Sequence, residues 1–220
     1  MKNLLHIGAS VRPYHLEETE HQSISRMLAM TFIEQFRESY KQTEVIQRDL
    51  SVTPPAYIDQ RFVAASFAKG ELSPEEQSVL AESDRLIAEV VDADIILISS
   101  PMYNYGMPAV LKAWFDQIIR IDKTFSFDLA RGDNPLRPIL KGKQLVLLAS
   151  WGEFDFLKGQ SKYAFNHLSS HIEQLAPYLG AEQFYEIASE YQEFDDQRHE
   201  QSKARAIANA KTLARDLALA

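Results

Sequence analysis

Ser99-Ser100-Pro101-Met102-Tyr103-Asn104-Tyr105-Gly106-Met107-Pro108 separates two segments of different period. Before it runs Ala93-Asp94-Ile95-Ile96-Leu97-Ile98, a short apolar run that suits a strand buried on both faces of a parallel sheet. Behind it, Val110, Leu111, Trp114, Phe115, Ile118 and Ile119 recur at helical spacing. Pro108 fits the first turn of that helix, where its missing N–H costs little. The stretch is therefore a strand-to-helix loop. In an open α/β sheet such loops lie at the carboxyl edge, where ligands bind. Two tyrosines and an amide there offer a flat apolar surface with a few hydrogen-bonding groups, which suits a heteroaromatic ring. The competing reading has Tyr103 and Tyr105 packing against the next helix.

Working outward, residues 4–8 read as a first strand, ending in Gly8-Ala9-Ser10. A polar stretch follows, and Ser23 is an N-cap for a helix with Met27, Leu28, Met30, Phe32, Ile33 and Phe36 on its apolar side. Residues 43–50 form a second strand. Residues 51–73, with Pro54 and Pro55, show little regular pattern, and a loop of that length is usually functional. Ser73-Pro74-Glu75-Glu76 starts a helix that runs to about Asp92. On the far side, residues 122–142 suggest a hairpin-like flap, and Gln144-Leu145-Val146-Leu147-Leu148-Ala149 is the fourth buried strand. Residues 160–178 read as a helix, 184–187 as a short fifth strand, and the Ala-rich tail from about Asp196 as a last helix.

Five strands alternating with helices predict a three-layer α/β/α sandwich on a parallel sheet of order 2-1-3-4-5, as one domain over residues 1–220. Three of the strands end alike, in Ala9-Ser10, Ser99-Ser100 and Ala149-Ser150. Parallel strands bring all three serines to one edge, so the loops around 10–25, 100–108 and 150–156 surround one crevice.

The composition removes other classes. The formal charge is −8 with no basic block, which argues against a nucleic-acid partner. Cysteine is absent, so disulfides, thiolate catalysis and cysteine-type metal sites are excluded. No apolar stretch approaches the roughly 18 residues of a membrane helix, and the N-terminus runs straight into a strand; a cytoplasmic protein is expected. His167 and His171 stand four apart on the expected helix, but no glutamate follows His167 and no third ligand is evident, so two surface histidines are expected and no metal. A Gly-x-Ser-x-Gly elbow is missing as well.

Within the crevice, Ser23 and Ser25 open a helix after the first strand. Hydroxyls, backbone N–H groups and the helix dipole together make an anion site, although Ser23 could serve as a cap alone. Glu17, Glu18 and Glu20 in the same loop would repel a phosphate unless they face solvent, with Arg12, His15 and His21 to offset them. Trp151, Phe154 and Phe156 would add an aromatic wall or simply pack their own loop.

Pro101-Met102-Tyr103-Asn104-Tyr105, followed by Leu111-Lys112 and Trp114-Phe115-Asp116, resembles the FMN-dependent NAD(P)H azoreductase and quinone oxidoreductase family of the flavodoxin-like fold. The resemblance extends over nearly the whole chain, including Leu72-Ser73-Pro74 and Thr124-Phe125. It implies noncovalent FMN, NADH or NADPH as electron donor, a quinone or azo compound as acceptor, and a homodimer whose active sites are built by both subunits. It implies that Ser10 and Gln22, Ser23, Ile24 and Ser25 hold the FMN phosphate, that Pro101, Met102, Tyr103, Asn104 and Tyr105 border the ribityl chain and ring, and that Ser150, Trp151, Gly152 and Glu153 approach from the other loop. No acid–base residue is implied, because the cofactor carries the chemistry. Two features depart from the family pattern. The loop between Ser10 and Ser23 is longer and acidic, and Ser150-Trp151-Gly152-Glu153 lacks the usual second glycine, putting a Cβ and a negative charge at 153. A flavin-binding electron carrier without turnover is the alternative, and a fold that has lost its flavin is a third; the long 51–73 loop, the flap and the last helix favour the enzyme.

Overall fold

The computed structural model describes residues 1–14 and 22–220. In chain order the elements are β1 (Lys2–Gly8), α1 (Ile24–Ser39), β2 (Thr43–Asp49), α2 (Gln60–Ser66), α3 (Pro74–Asp92), β3 (Ile95–Pro101), α4 (Ala109–Ile118), β4 (Phe125–Phe127), β5 (Leu136–Pro138), β6 (Lys143–Ser150), α5 (Ser169–Leu175), β7 (Ala181–Ser189) and α6 (Gln197–Leu219). The main sheet has five strands in the order β2-β1-β3-β6-β7, and every pairing in it is parallel. With β4 and β5 set apart as an antiparallel hairpin, this is the expected 2-1-3-4-5 order, and the flap is the expected hairpin.

Period-two alternation divides the core. Along β3, Ile96 and Ile98 join Leu86, Val90, Trp114, Phe115 and Ile172 on the face covered by α3, α4 and α5. Ile95 and Leu97 join Leu28, Phe32, Phe36, Ala206 and Ala210 on the face covered by α1 and α6. A strand buried on both faces has to read as an unbroken apolar run, which is why residues 95–98 do. The small residues of α6 let it lie close to α1, its principal neighbour.

The helix starts follow their caps. Ser23 Oγ accepts the Arg26 N–H at 3.3 Å. Ser73 and Glu76 form a reciprocal capping box, with the Glu76 carboxylate accepting the Ser73 N–H at 2.7 Å. Pro108 sits one position earlier than expected, at the N-cap of α4.

Three segments differ from the sequence expectation. Loop 51–73 contains α2, which Asp59 caps by accepting the Phe62 N–H at 2.8 Å. The helix expected over 160–178 is broken into a 3-10 turn at Tyr163–Phe165, then α5, then a second 3-10 turn at Ala176–Leu179. The cause is Asn166, whose Oδ1 accepts the N–H groups of Leu168 and Ser169 and starts the helix afresh. The fifth strand, β7, is longer than expected because Glu182, Gln183 and Glu186, on this edge strand, interrupt the apolar pattern.

Candidate functional site: a cleft at the carboxyl edge of the sheet

The parallel register carries β1, β3 and β6 to a common edge. Gly8 lies opposite Ser99, and Pro101 lies opposite Ser150. A cleft opens beyond these ends. Ser10, Ser23, Ile24, Pro101, Met102, Tyr103, Ser150, Trp151 and Gly152 line one part of it, and Met102, Asn104, Tyr105, Trp151, Gly152 and Glu153 the adjoining part. Of the expected site residues, only Gln22 and Ser25 are outside that lining. Ser25 is fully buried, with its Oγ 3.3 Å from Ser23 Oγ, and Gln22 is the half-buried neighbour of Ser23. The acidic residues Glu17, Glu18 and Glu20, with His15 and His21, lie outside the described residues.

At one end of the cleft is the start of α1. Its first backbone N–H groups, those of Ile24 and Ser25, have no carbonyl one turn earlier to bind. With the Ser23 hydroxyl beside them and Arg12 on the rim, the donor set suits an anion. Ser10 joins it from the β1 loop, where its Oγ accepts the Arg12 N–H at 3.2 Å.

The loop after β3 is a tight two-residue hairpin. Tyr103 and Gly106 exchange both backbone hydrogen bonds, at 2.9 and 3.0 Å, and Asn104 and Tyr105 have φ of 48° and 65°. Two successive positive φ values are the signature of a type I′ turn. Asparagine tolerates that region, whereas tyrosine there stores strain of about 1 kcal/mol or more. Three contacts retain it. The Tyr105 carbonyl accepts the His167 N–H at 2.8 Å, its ring lies 6.0 Å from Phe156, and its Oη donates to Glu153 Oε1 at 3.1 Å.

Glu153 is held from its other side. Lys162 Nζ donates to Glu153 Oε2 at 2.8 Å and lies over the Phe154 ring at 4.4 Å. The Lys162 hydrogen bond, with a smaller contribution from Tyr105, keeps the Glu153 carboxyl below its ordinary pKa. The charge brought by the missing second glycine is therefore partnered. The expected aromatic wall is only partly present. Trp151 and Phe156 line the cleft but are 2% and 1% exposed, so their loop packs inward. Phe154 turns away and stacks on Tyr191 at 4.7 Å.

The loop after β7 supplies residues that the sequence reading missed. Gln192 and Glu193 line the cleft, and their N–H groups bond the carbonyls of Trp151 and Gly152 at 3.3 and 3.1 Å. Glu193 lies so close that a Cβ at Gly152 would come within 2.2 Å of its Cγ. Beneath them the buried Glu190 carboxylate accepts Trp151 Nε1–H at 3.3 Å and Asp155 N–H at 3.0 Å. A signal was present: β7 ends in Ala188-Ser189, the same small-residue ending as β1 and β6.

His167 is exposed and His171 half-buried. Partial burial and the nearby Lys112 hold the His171 pKa below its usual value. Among the described residues no group of three His, Asp or Glu side chains could hold a metal, and no helix is long and apolar enough to cross a membrane.

A family model described as "Flavodoxin-like fold" matches residues 2–213. The chain belongs to this flavodoxin-like family. Among its relatives, FMN-dependent NADH:quinone oxidoreductase 2 of Idiomarina loihiensis is 52% identical over 220 residues, covering 100% of this chain and 92% of the relative. FMN-dependent NAD(P)H:quinone oxidoreductase 1 of Pseudomonas aeruginosa is 34% identical, covering 91% of this chain and 96% of the relative. An FMN-dependent NADH-azoreductase from Bacillus anthracis, solved in complex with FMN, superposes with a TM-score of 0.83 at 19% identity, over 99% of this chain and 100% of that one. This last likeness bears on the fold alone.

Proposed function

We propose that the chain is an FMN-dependent NAD(P)H:quinone oxidoreductase, active on quinones and azo compounds, working in the cytoplasm as a single-domain subunit of a homodimer. The observation that carries this reading is the convergence of four segments on one cleft: Ser10, the start of α1, the 101–105 hairpin and the 150–153 loop. The names of relatives at 52% and 34% identity support the same activity.

The residues fit the cofactor chemically. The serine hydroxyls and free N–H groups at the start of α1 take the phosphate. Gly152 lets the Glu193 side chain close in over the 150–153 loop, and the 101–105 hairpin presents aromatic and amide groups to a flat ring. FMN held there would supply two-electron redox chemistry between a nicotinamide donor and the acceptor. The chain's own part is to bind and orient. The strained turn fixes Tyr105, the Tyr105–Glu153–Lys162 chain braces the outer wall, and the Trp151–Phe156 packing keeps water from beneath it.

The dimer reading draws support from a second concavity. Ile58, Val63, Phe67, Phe115 and Ile121 line an apolar groove between the 51–73 segment and α4, and Phe67 is 63% exposed. Contiguous exposed apolar surface of that kind marks an interface.

The test is reconstitution with FMN, followed by oxidation of NADH and of NADPH with 1,4-benzoquinone as acceptor. Turnover showing parallel lines in double-reciprocal plots is expected. Protein that binds FMN and turns over no acceptor refutes the enzyme; protein that leaves FMN fluorescence unquenched refutes the flavin site.

A further inference from the structure

We infer that Arg26 is the positioning residue of the phosphate end of the cleft, tying the Ser10 backbone and the end of β2 to the start of α1, which carries Ser23. The inference rests on the FMN reading above. Arg26 occupies the first turn of α1, where a positive charge opposes the helix dipole. Its place there needs a reason, and the guanidinium contacts give one. Nη2 donates to the Ser10 carbonyl at 2.6 Å and to Ser51 Oγ at 3.0 Å. Nη1 and Nη2 together grip Asp49, at 2.6 Å to Oδ2 and 2.8 Å to Oδ1.

One side chain thus joins the loop after β1, the end of β2 and the start of α1. Its backbone N–H binds Ser23 Oγ, as the N–H of any residue at that position of the cap would, so the side chain's own contribution is the tie to Ser10, Asp49 and Ser51. The guanidinium lies behind the hydroxyls: it lines the neighbouring concavity with His6 and Asp49, not the cleft itself. It therefore acts through the Ser10 backbone and the placement of the start of α1, without a place in the cleft lining.

The surrounding residues are fitted to it. Gly8 ends β1 where a Cβ would stand 3.3 Å from Arg26 Nη1. Burial pushes the Asp49 carboxyl up, but hydrogen bonds from Arg26 and Ser51 outweigh that and bring it down to about 2. The pair is therefore ionised at neutral pH and close to electrically neutral as a unit. A lysine would keep the charge but lacks the planar fork needed to grip Asp49 and reach Ser10 and Ser51 together.

Preorganised donors matter to the phosphate and not to the ring. The test compares the full chain's affinity for FMN with that for riboflavin, which lacks the phosphate, by quenching of flavin fluorescence. Arg26→Gln is expected to weaken FMN at least about tenfold, the size of one lost charge-assisted hydrogen bond, and riboflavin less than about twofold. Arg26→Lys should recover part of the FMN affinity. Asp49→Asn, which keeps one acceptor for the guanidinium, should show the same selective loss in smaller degree, and it carries the test if Arg26→Gln fails to fold. Equal losses for both flavins, or an unchanged ratio in both variants, would overturn the role of Arg26. Wild-type protein that binds FMN no more tightly than riboflavin would overturn the phosphate reading itself.

Discussion

His6 should make the fold sensitive to mild acid. It lies on β1, 6% exposed, with Nε2 2.8 Å from Ser99 Oγ. Burial, and then the Arg26 guanidinium, press its pKa from 6.5 down to about 4, against a weaker opposing pull from Asp49. An imidazole with a lowered folded pKa binds fewer protons folded than unfolded between the two values. Stability therefore rises with pH across that window, is fully present above about 6.5, and reaches its floor below about 4. Integrating between those values gives a loss of about 2 kcal/mol from this one residue between about pH 7 and pH 5. The perturbation is His6→Gln, which does not titrate and keeps a donor for Ser99. The assay is urea unfolding of wild type and variant at several pH values, with saturating FMN in both so that cofactor-linked terms cancel. The wild type should lose about 2 kcal/mol more than the variant over the window. Parallel stability curves, or a His6 NMR titration near the ordinary value, would show that the buried ring is not the sensor.

Three further outcomes follow from named contacts. Gly152→Ala places a Cβ 2.2 Å from Glu193 Cγ; it should cost about 1–3 kcal/mol in urea unfolding, and much of that should return in the double variant with Glu193→Ala, whereas strictly additive losses would clear Glu193. Asn166 is 1% exposed and fully bonded, to the Phe156 carbonyl, Ser169 Oγ and two N–H groups. Asn166→Ala should therefore lower stability by about 2–3 kcal/mol and increase amide hydrogen exchange across 156–170, and unchanged exchange there would contradict the cap. In Lys162→Met the Glu153 carboxyl should titrate at higher pH by carbon-13 NMR, with melting temperature nearly unchanged because the pair is exposed; an unmoved Glu153 would mean that Lys162 does not hold it.

What the sequence revealed depended on how each feature is encoded. Residues 95–98 and 144–149 are largely buried on both faces, so their burial shows as apolar runs, and the parallel sandwich followed from the alternation of such runs with amphipathic helices, while the order 2-1-3-4-5 was a choice among doubly wound orders that the structure bears out. Ser23 and Ser73 were legible because a capping bond involves residues three apart in sequence. Contacts that cross between elements left no local trace. Nothing in Gly152 or Glu193 announces that they meet, and the partnership of Glu153 with Lys162 depends on how residues 153–162 fold back. Tyr105 is harder still, since its left-handed backbone contradicts its own preference and is sustained by His167, Phe156 and Glu153 from distant parts of the chain.

This difference in legibility follows the division of labour in the cleft. The strand ends and the start of α1 make the anion end from backbone groups and short hydroxyl side chains, which regular elements position with little help. The adjoining part is built from Tyr105 and Glu153, with Glu193 reaching into both parts, side chains on irregular loops that need one another to stay in place. Regular elements tolerate little change in what they present, whereas loops accept substitution readily. Variation among the relatives should therefore fall on the second end, where an incoming acceptor meets the protein, and spare the first. Exchanging residue 105 between this chain and its 34%-identical relative should shift the choice among acceptors more than FMN affinity, because the start of α1, Ser10 and the 190–193 loop are untouched. A swap that abolishes FMN binding but leaves acceptor preference unaltered would reverse the assignment of the two ends.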